Sequence, residues 1–151
     1  MNPASVSVSR VLIGQNSHEQ LSALLRTARP ELEVRSCTVA DISADDLLWA
    51  DTYIGFRRPQ FQSMGSVRWV HSTGAGIDPW LYPAELSRDI LLTRSSESFG
   101  PMIAEWALSR ALAFTQQIVS LAENQREQKW LPRPIERLGG TKAVVVGTGD
   151  V

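Results

Sequence analysis

The chain has 151 residues, 43% of them hydrophobic and 21% charged, a balance that describes a globular protein and excludes a disordered one. A net charge of -1 and an isoelectric point near 6.1 argue against nucleic acid as a main partner, because such binding needs a basic face. The single cysteine, Cys37, excludes an internal disulfide, and no stretch approaches the ~20 apolar residues of a membrane span, so the expected setting is reduced and cytoplasmic with no membrane partner.

Residues Arg10–Gly14 (RVLIG) read as a buried strand. SHEQLSALLRTARP follows as a helix, with Leu21, Leu24 and Leu25 on one face, Ser17 as the N-cap and Pro30 as the stop. LEVRSCTV alternates at period two and suits a strand with one polar face. SADDLLWA is a short helix capped by Ser43, with Asp45 and Asp46 in the first turn where they favour the helix dipole. TYIGF, VRWVHST and DILLTRS add three more strand-like runs. Strands alternating with helices imply a mostly parallel sheet covered on both faces, a flavodoxin-like α/β unit of about five strands.

GPMIAEWALSRALAFTQQIVSLAENQREQKW then reads as one long helix from Gly100 to about Gln128, with Pro101 in the first turn. Ile103, Ala107, Phe114, Ile118 and Leu121 make a stripe that Leu108 and Leu112 widen. An arc this wide needs more than one packing partner, so the helix is expected between two domains or two subunits. LPRPIERLGG punctuates the chain as a linker, and TKAVVVG is expected to open a strand of a second domain.

Two glycine constellations could carry chemistry. Gly147 and Gly149 follow the β-branched run Ala143–Val146. They suit either an ordinary turn or a loop that brings backbone close to a pyrophosphate at a helix N-terminus. Gly74 and Gly76 flank Ala75 directly after the run VRWVHST. They suit either a tight turn that needs positive φ or a small nest of backbone N–H groups for an anion.

VRWVHSTGAGIDPWL, ILLTRSSESFGPMIAEWALSRALAF, QREQKW and LGGTKAVVVGTGDV, in that order and spacing, resemble the D-isomer-specific 2-hydroxyacid dehydrogenase family, which includes glyoxylate/hydroxypyruvate reductases. The likeness covers residues 67–151 well and the first sixty only by pattern. It implies an oxidoreductase that uses NAD or NADP to interconvert 2-oxo acids and D-2-hydroxy acids by hydride transfer. By the same resemblance, Gly74, Ala75 and Gly76 bind the substrate carboxylate through backbone N–H groups, and Gly147 and Gly149 belong to the phosphate loop. Met102 matches the position approaching the nicotinamide end, and Glu105 a structural glutamate. Trp130 stands where glyoxylate-reductase-like relatives send a tryptophan into the partner subunit's active site, which implies a homodimer; the other reading of Trp130 is ordinary packing near the linker. The implied division is a substrate domain over 1–97, an interdomain helix and linker over 98–137, and the start of a Rossmann cofactor domain over 138–151.

The family's catalytic arginine, histidine and glutamate follow the phosphate loop, so no catalytic residue is expected here and the 151-residue chain alone is expected to be inactive. His18 and His71 read as structural. Arg57 and Arg58 border the side where substrate would sit, either as a substrate contact or as a solvated edge. The alternative is a non-catalytic binding protein on the same scaffold, as in the C-terminal binding protein corepressors. A stand-alone flavodoxin-like module ranks lower, since Asn16 stands where a phospho-receiver would carry paired carboxylates.

Overall fold

The structure is a computed structural model that describes residues 6–61, 63–82, 86–147 and 149. The chain divides into two compact units, Met1–Ser96 and Glu97–Val151.

In the first unit, five parallel strands lie in the order β2-β1-β3-β4-β5. They are β1 (Arg10–Gly14), β2 (Glu33–Cys37), β3 (Thr52–Ile54), β4 (Trp69–Ser72) and β5 (Leu91–Arg94). The helices α1 (His18–Ala28), α2 (Ala44–Trp49) and α3 (Asp78–Leu81) connect them. The register pairs Leu12 with Tyr53 and Tyr53 with Val70, so these three share one face of the sheet. That face carries the core: Leu12, Tyr53 and Val70 are buried with Leu47, Ala50, Met64, Val67 and Trp80. Each large apolar side chain sequestered there contributes about 1.5–3 kcal/mol. Tyr53 and Trp80 meet edge-on, with ring centroids 5.4 Å apart.

Helix α1 packs on β1 and β2 at the opposite face. Its inward side differs from the expected one. Leu24 is 68% exposed, whereas Ser22 is buried and donates its hydroxyl to the Glu19 carbonyl at 2.9 Å. The inward stripe therefore runs His18–Leu21–Ser22–Leu25, with Ser22 buried and the others half-buried, and Leu24 falls outside it by one step of about 100°. Ser17 does occupy the N-cap position, but its hydroxyl accepts from Gln15 Nε2 at 2.9 Å and makes no cap bond.

Helix α2 is capped as its sequence suggests. The Ser43 hydroxyl accepts from the Asp46 N–H at 3.2 Å, and the Asp46 carboxylate accepts from the Ser43 N–H at 3.1 Å. The Ser43 side-chain hydrogen bond, with smaller help from Arg35, holds the Asp46 carboxyl below its ordinary pKa. At the amino end of the sheet, Asp51 Oδ2 accepts from the Ser9 and Arg10 N–H groups, each at 2.9 Å. Burial works to raise the Asp51 pKa, and these bonds together with the Ser9 hydroxyl outweigh it.

The second unit holds α4 (Gly100–Thr115) and α5 (Ile118–Arg126). This corrects the expected single helix, which is broken at Gln117, a non-glycine residue in the left-handed region (φ 51°). The break has a chemical cause. Gln116 Nε2 donates to the Glu136 carbonyl and Gln117 Nε2 to the Pro134 carbonyl, both at 2.9 Å, while the Glu136 N–H donates to the Thr115 carbonyl at 3.1 Å. The proline-rich segment is thus clasped at the helix junction, and the β-branched residues Thr115, Ile118 and Val119 give little propensity to resist the break. No described residue of either helix is buried.

The run Lys142–Val146 forms no strand, a second correction, and Val144 and Val146 are almost fully exposed. A strand needs a neighbour to accept its backbone hydrogen bonds, and this β-branched run has none among the described residues.

Candidate functional site

In an open parallel sheet, ligands are received at the carboxyl ends of the strands, where the strand order reverses. Here that point lies between β1 and β3. Two glycines allow the strand ends to close up. A Cβ on Gly14 would stand 2.2 Å from the Tyr53 hydroxyl, and one on Gly55 would stand 2.4 Å from the Gly14 carbonyl oxygen. The Tyr53 hydroxyl lies 3.1 Å from the carbonyls of both Gly14 and Arg57 and can donate to either, so it pins the segment after β3 to the end of β1.

A cleft of about 970 Å3 opens above this pinch. Gln15, Asn16 and Ser17 line it after β1, Thr38 after β2, and Phe56, Arg57 and Arg58 after β3. Arg57 is exposed, and its guanidinium has no partner among the described residues. Both arginines line the cleft.

The Gly74–Ala75–Gly76 loop follows β4, the next strand across, and touches the same region through two contacts. Thr73 Oγ1 donates to Gln15 Oε1 at 2.8 Å, and a Cβ on Gly74 would lie 2.4 Å from Phe56 Cε2. The loop itself does not line the cleft, whose lining on this side is Phe56. Neither Gly74 nor Gly76 has positive φ, so a left-handed turn is not why glycine occurs there. Gly74 is small because Phe56 lies on it. Gly76 has no such neighbour: a Cβ would meet only Asp78 Oδ2, at 3.8 Å.

The loop amides are unequal. The Gly74 N–H donates weakly to Ser72 Oγ at 3.4 Å. The Ala75 and Gly76 N–H groups find no acceptor among the described residues. Two amides rather than three are therefore open to an incoming anion. Arg94, at the end of β5, donates from Nη1 to the Ala75 carbonyl at 2.9 Å.

His71 lies one residue before Ser72, and both ring nitrogens are engaged. Nδ1 is 2.9 Å from Thr93 Oγ1, which accepts from Trp69 Nε1 at 2.8 Å, and Nε2 is 3.3 Å from Ser95 Oγ. Desolvation lowers its pKa below the ordinary histidine value, so the ring is held neutral. His18, at the start of α1, has Nδ1 3.3 Å from Ser36 Oγ. Both histidines are tied into the fold, in keeping with a structural role.

Met102, Trp130, Gly147 and Gly149 belong to the other unit. Met102 and Trp130 are 65% and 90% exposed. Gly147 has φ 97°, a turn conformation that glycine enters readily, and a Cβ on either glycine would meet nothing within 4 Å. Thr148, between them, lies outside the described residues. Sequence reasoning missed Gln15, Phe56 and Arg94. Gln15 and Phe56 each directly follow a glycine at a strand end, and that was the available signal; Arg94 had none, because its contact spans 19 residues.

No protein-family model matches the chain, and no curated protein matches it. Solved structures do. A D-isomer specific 2-hydroxyacid dehydrogenase family protein from Aeromonas salmonicida superposes with a TM-score of 0.73 at 24% identity, over 86% of this chain and 43% of that one. A D-isomer specific 2-hydroxyacid dehydrogenase from Xanthobacter autotrophicus, in complex with NADPH and MES, gives 0.66 at 21% identity, over 86% and 43%. A probable 2-hydroxyacid dehydrogenase from Rhizobium etli, in complex with NADP, HEPES and L(+)-tartaric acid, gives 0.61 at 19%, over 85% and 42%. The chain thus spans less than half the length of each of these structures. The fold of this chain, with its five-stranded parallel sheet, matches that of these D-isomer specific 2-hydroxyacid dehydrogenase family proteins over the part of their length that it covers.

Proposed function

We propose that the intact protein is an NAD(P)-dependent oxidoreductase that interconverts 2-oxo acids and D-2-hydroxy acids, with this chain supplying the loop that holds the substrate carboxylate. The observation that carries the reading is the pair of unengaged N–H groups at Ala75 and Gly76, on a strand-end loop beside a cleft lined by Arg57 and Arg58. Glycine at 76 has neither a backbone nor a packing reason within the unit. Its small size leaves the backbone open, which is what an approaching carboxylate requires. The shared fold with NADPH- and NADP-bound dehydrogenases supports the reaction class.

In this reading the carboxylate accepts from the two amides, and Arg57 and Arg58 face the far end of the substrate across Phe56. Residues 1–97 serve the substrate, 98–137 connect, and 138–151 begin the cofactor domain. The left-handed Gly147 fits the first glycine of a phosphate loop, with Gly149 open beside it and Met102 toward the nicotinamide end. When bound there, a nicotinamide dinucleotide supplies or accepts the hydride at the substrate's second carbon. Neither His18 nor His71 is assigned the proton, so the 151-residue chain alone is not expected to turn over.

The test is Gly76→Val in the intact protein. Its Cβ enters open space, so the fold should persist. Two charge-assisted bonds contribute ~1.5–3 kcal/mol each, so KM for glyoxylate or hydroxypyruvate should rise by about tenfold or more with cofactor affinity unchanged. Ala75→Ser, which keeps the N–H, should have a much smaller effect. A KM within about twofold of the parent in a folded Gly76→Val protein would make the loop a turn and nothing more.

A further inference from the structure

Two unengaged amides do not aim themselves. In a planar trans peptide, the carbonyl of one residue and the N–H of the next point in opposite directions. Whatever holds the carbonyl therefore fixes where the following N–H points. The Gly76 N–H shares its peptide plane with the Ala75 carbonyl, which is the group that Arg94 Nη1 engages at 2.9 Å. The Ala75 N–H shares its plane with the Gly74 carbonyl, 3.3 Å from the buried Ser72 hydroxyl. Both holding groups come from the sheet. Ser72 and Arg94 are register partners on β4 and β5, and the Ser95 N–H donates to the Ser72 carbonyl at 2.9 Å.

One other bond restrains the loop: the Ser72 hydroxyl lies 3.5 Å from the Gly76 carbonyl, which belongs to the following peptide plane. A Cβ at Gly76 would meet only Asp78 Oδ2, at 3.8 Å, so no packing fixes the plane of the Gly76 N–H. A guanidinium on the Ala75 carbonyl also polarises that peptide, which makes the Gly76 N–H a better donor.

We infer that Arg94 is a positioning residue: by holding the Ala75 carbonyl it orients the Gly76 N–H toward the substrate carboxylate without touching the substrate. The inference rests on the carboxylate-binding reading of the loop given above.

The experiment is a titration of the 15N-labelled intact protein with oxalate, following the Ala75 and Gly76 amide resonances in the parent, in Arg94→Met and in Arg94→Lys. In the parent both amides should move with oxalate. In Arg94→Met the ligand-free Gly76 resonance should already be displaced, oxalate should bind at least about tenfold more weakly, and resonances of β1 and β2 should be unchanged. Arg94→Lys keeps a donor and should recover part of the affinity. In kinetics the loss should fall on KM for the 2-oxo acid far more than on kcat. Unchanged oxalate affinity in Arg94→Met overturns the proposal and leaves the carboxylate reading standing. Weaker binding with an undisplaced ligand-free Gly76 resonance also overturns it, because Arg94 would then be a direct contact. If the parent's Ala75 and Gly76 amides ignore oxalate, the carboxylate reading falls and takes the role of Arg94 with it.

Discussion

The His71 ring shows how a single residue can couple the sheet to its solvent. The shortest contacts make one consistent chain: Trp69 donates to Thr93, Thr93 to His71 Nδ1, and His71 Nε2 to Ser95. That chain needs a neutral imidazole, and desolvation, which disfavours the charged form, lowers its pKa. The unfolded chain then binds a proton that the folded one refuses, so the stability contributed by neutral His71 is complete above the unfolded value of ~6.5 and is lost as pH falls below it. Asp46 and Asp51, also lowered, act at lower pH, as it falls through the ordinary carboxyl range and below it. His71→Gln in the intact protein should therefore flatten the loss of denaturation midpoint between about pH 7 and pH 5. A parent protein whose midpoint does not move over that interval contradicts the neutral ring. Tyr53 is the opposite kind of residue. Burial raises its pKa, which keeps its hydroxyl protonated to donate to the Gly14 or the Arg57 carbonyl.

Helices α1 and α2 begin alike in sequence, each with a serine before an acidic first turn, and differ in chemistry. Ser43 and Asp46 exchange both cap bonds, whereas the Ser17 hydroxyl is turned to Gln15. Ser43→Ala should accordingly destabilise the protein by ~1 kcal/mol, and Ser17→Ala by no more than about 0.5 kcal/mol, both measured by urea unfolding. Equal losses would mean that Ser17 caps after all. The contrast also shows what is legible in a sequence. Strand alternation, the Ser43 cap and the Pro30 stop were readable, because each depends on neighbours within a few residues. The α4–α5 break was not, since the groups that stabilise it, the Pro134 and Glu136 carbonyls, lie 17 and 20 residues from the glutamines that hold them. Leu24 was misplaced for a related reason. Three leucines define an apolar arc, but the surface of β1 and β2 decides which edge of that arc is buried. In the loop after β4, sequence left open a turn with positive φ and a nest of N–H groups; neither glycine has positive φ, and Phe56, which no local pattern indicates, accounts for Gly74.

For the whole molecule, the apolar surface of α4 and α5 has the widest consequence. Trp106, Phe114 and Val119 are 63%, 85% and 65% exposed, and Trp130, after α5, is 90% exposed. Single exposed apolar residues are ordinary, but several large ones on two successive helices are the kind of surface that a partner covers. We propose that the intact protein is a homodimer, with exposed apolar side chains of α4 and α5, Phe114 among them, in its interface. Phe114→Glu should shift the intact protein toward the monomer in light scattering, since each large apolar side chain removed from water contributes about 1.5–3 kcal/mol. A parent that is strictly monomeric at micromolar concentration contradicts the dimer. No helix among the described residues is long and apolar enough to cross a bilayer.

The contact between Phe56 and Gly74 has a consequence in the language of descent. One steric allowance is shared by two positions 18 residues apart, each on a different strand-end loop. While the ring is present, any mutation that adds a β-carbon at 74 collides with it. Trim the ring first, and the same mutation becomes neutral. The order in which such changes arise therefore bears on which of them survive, and positions 56 and 74 change as a coupled pair.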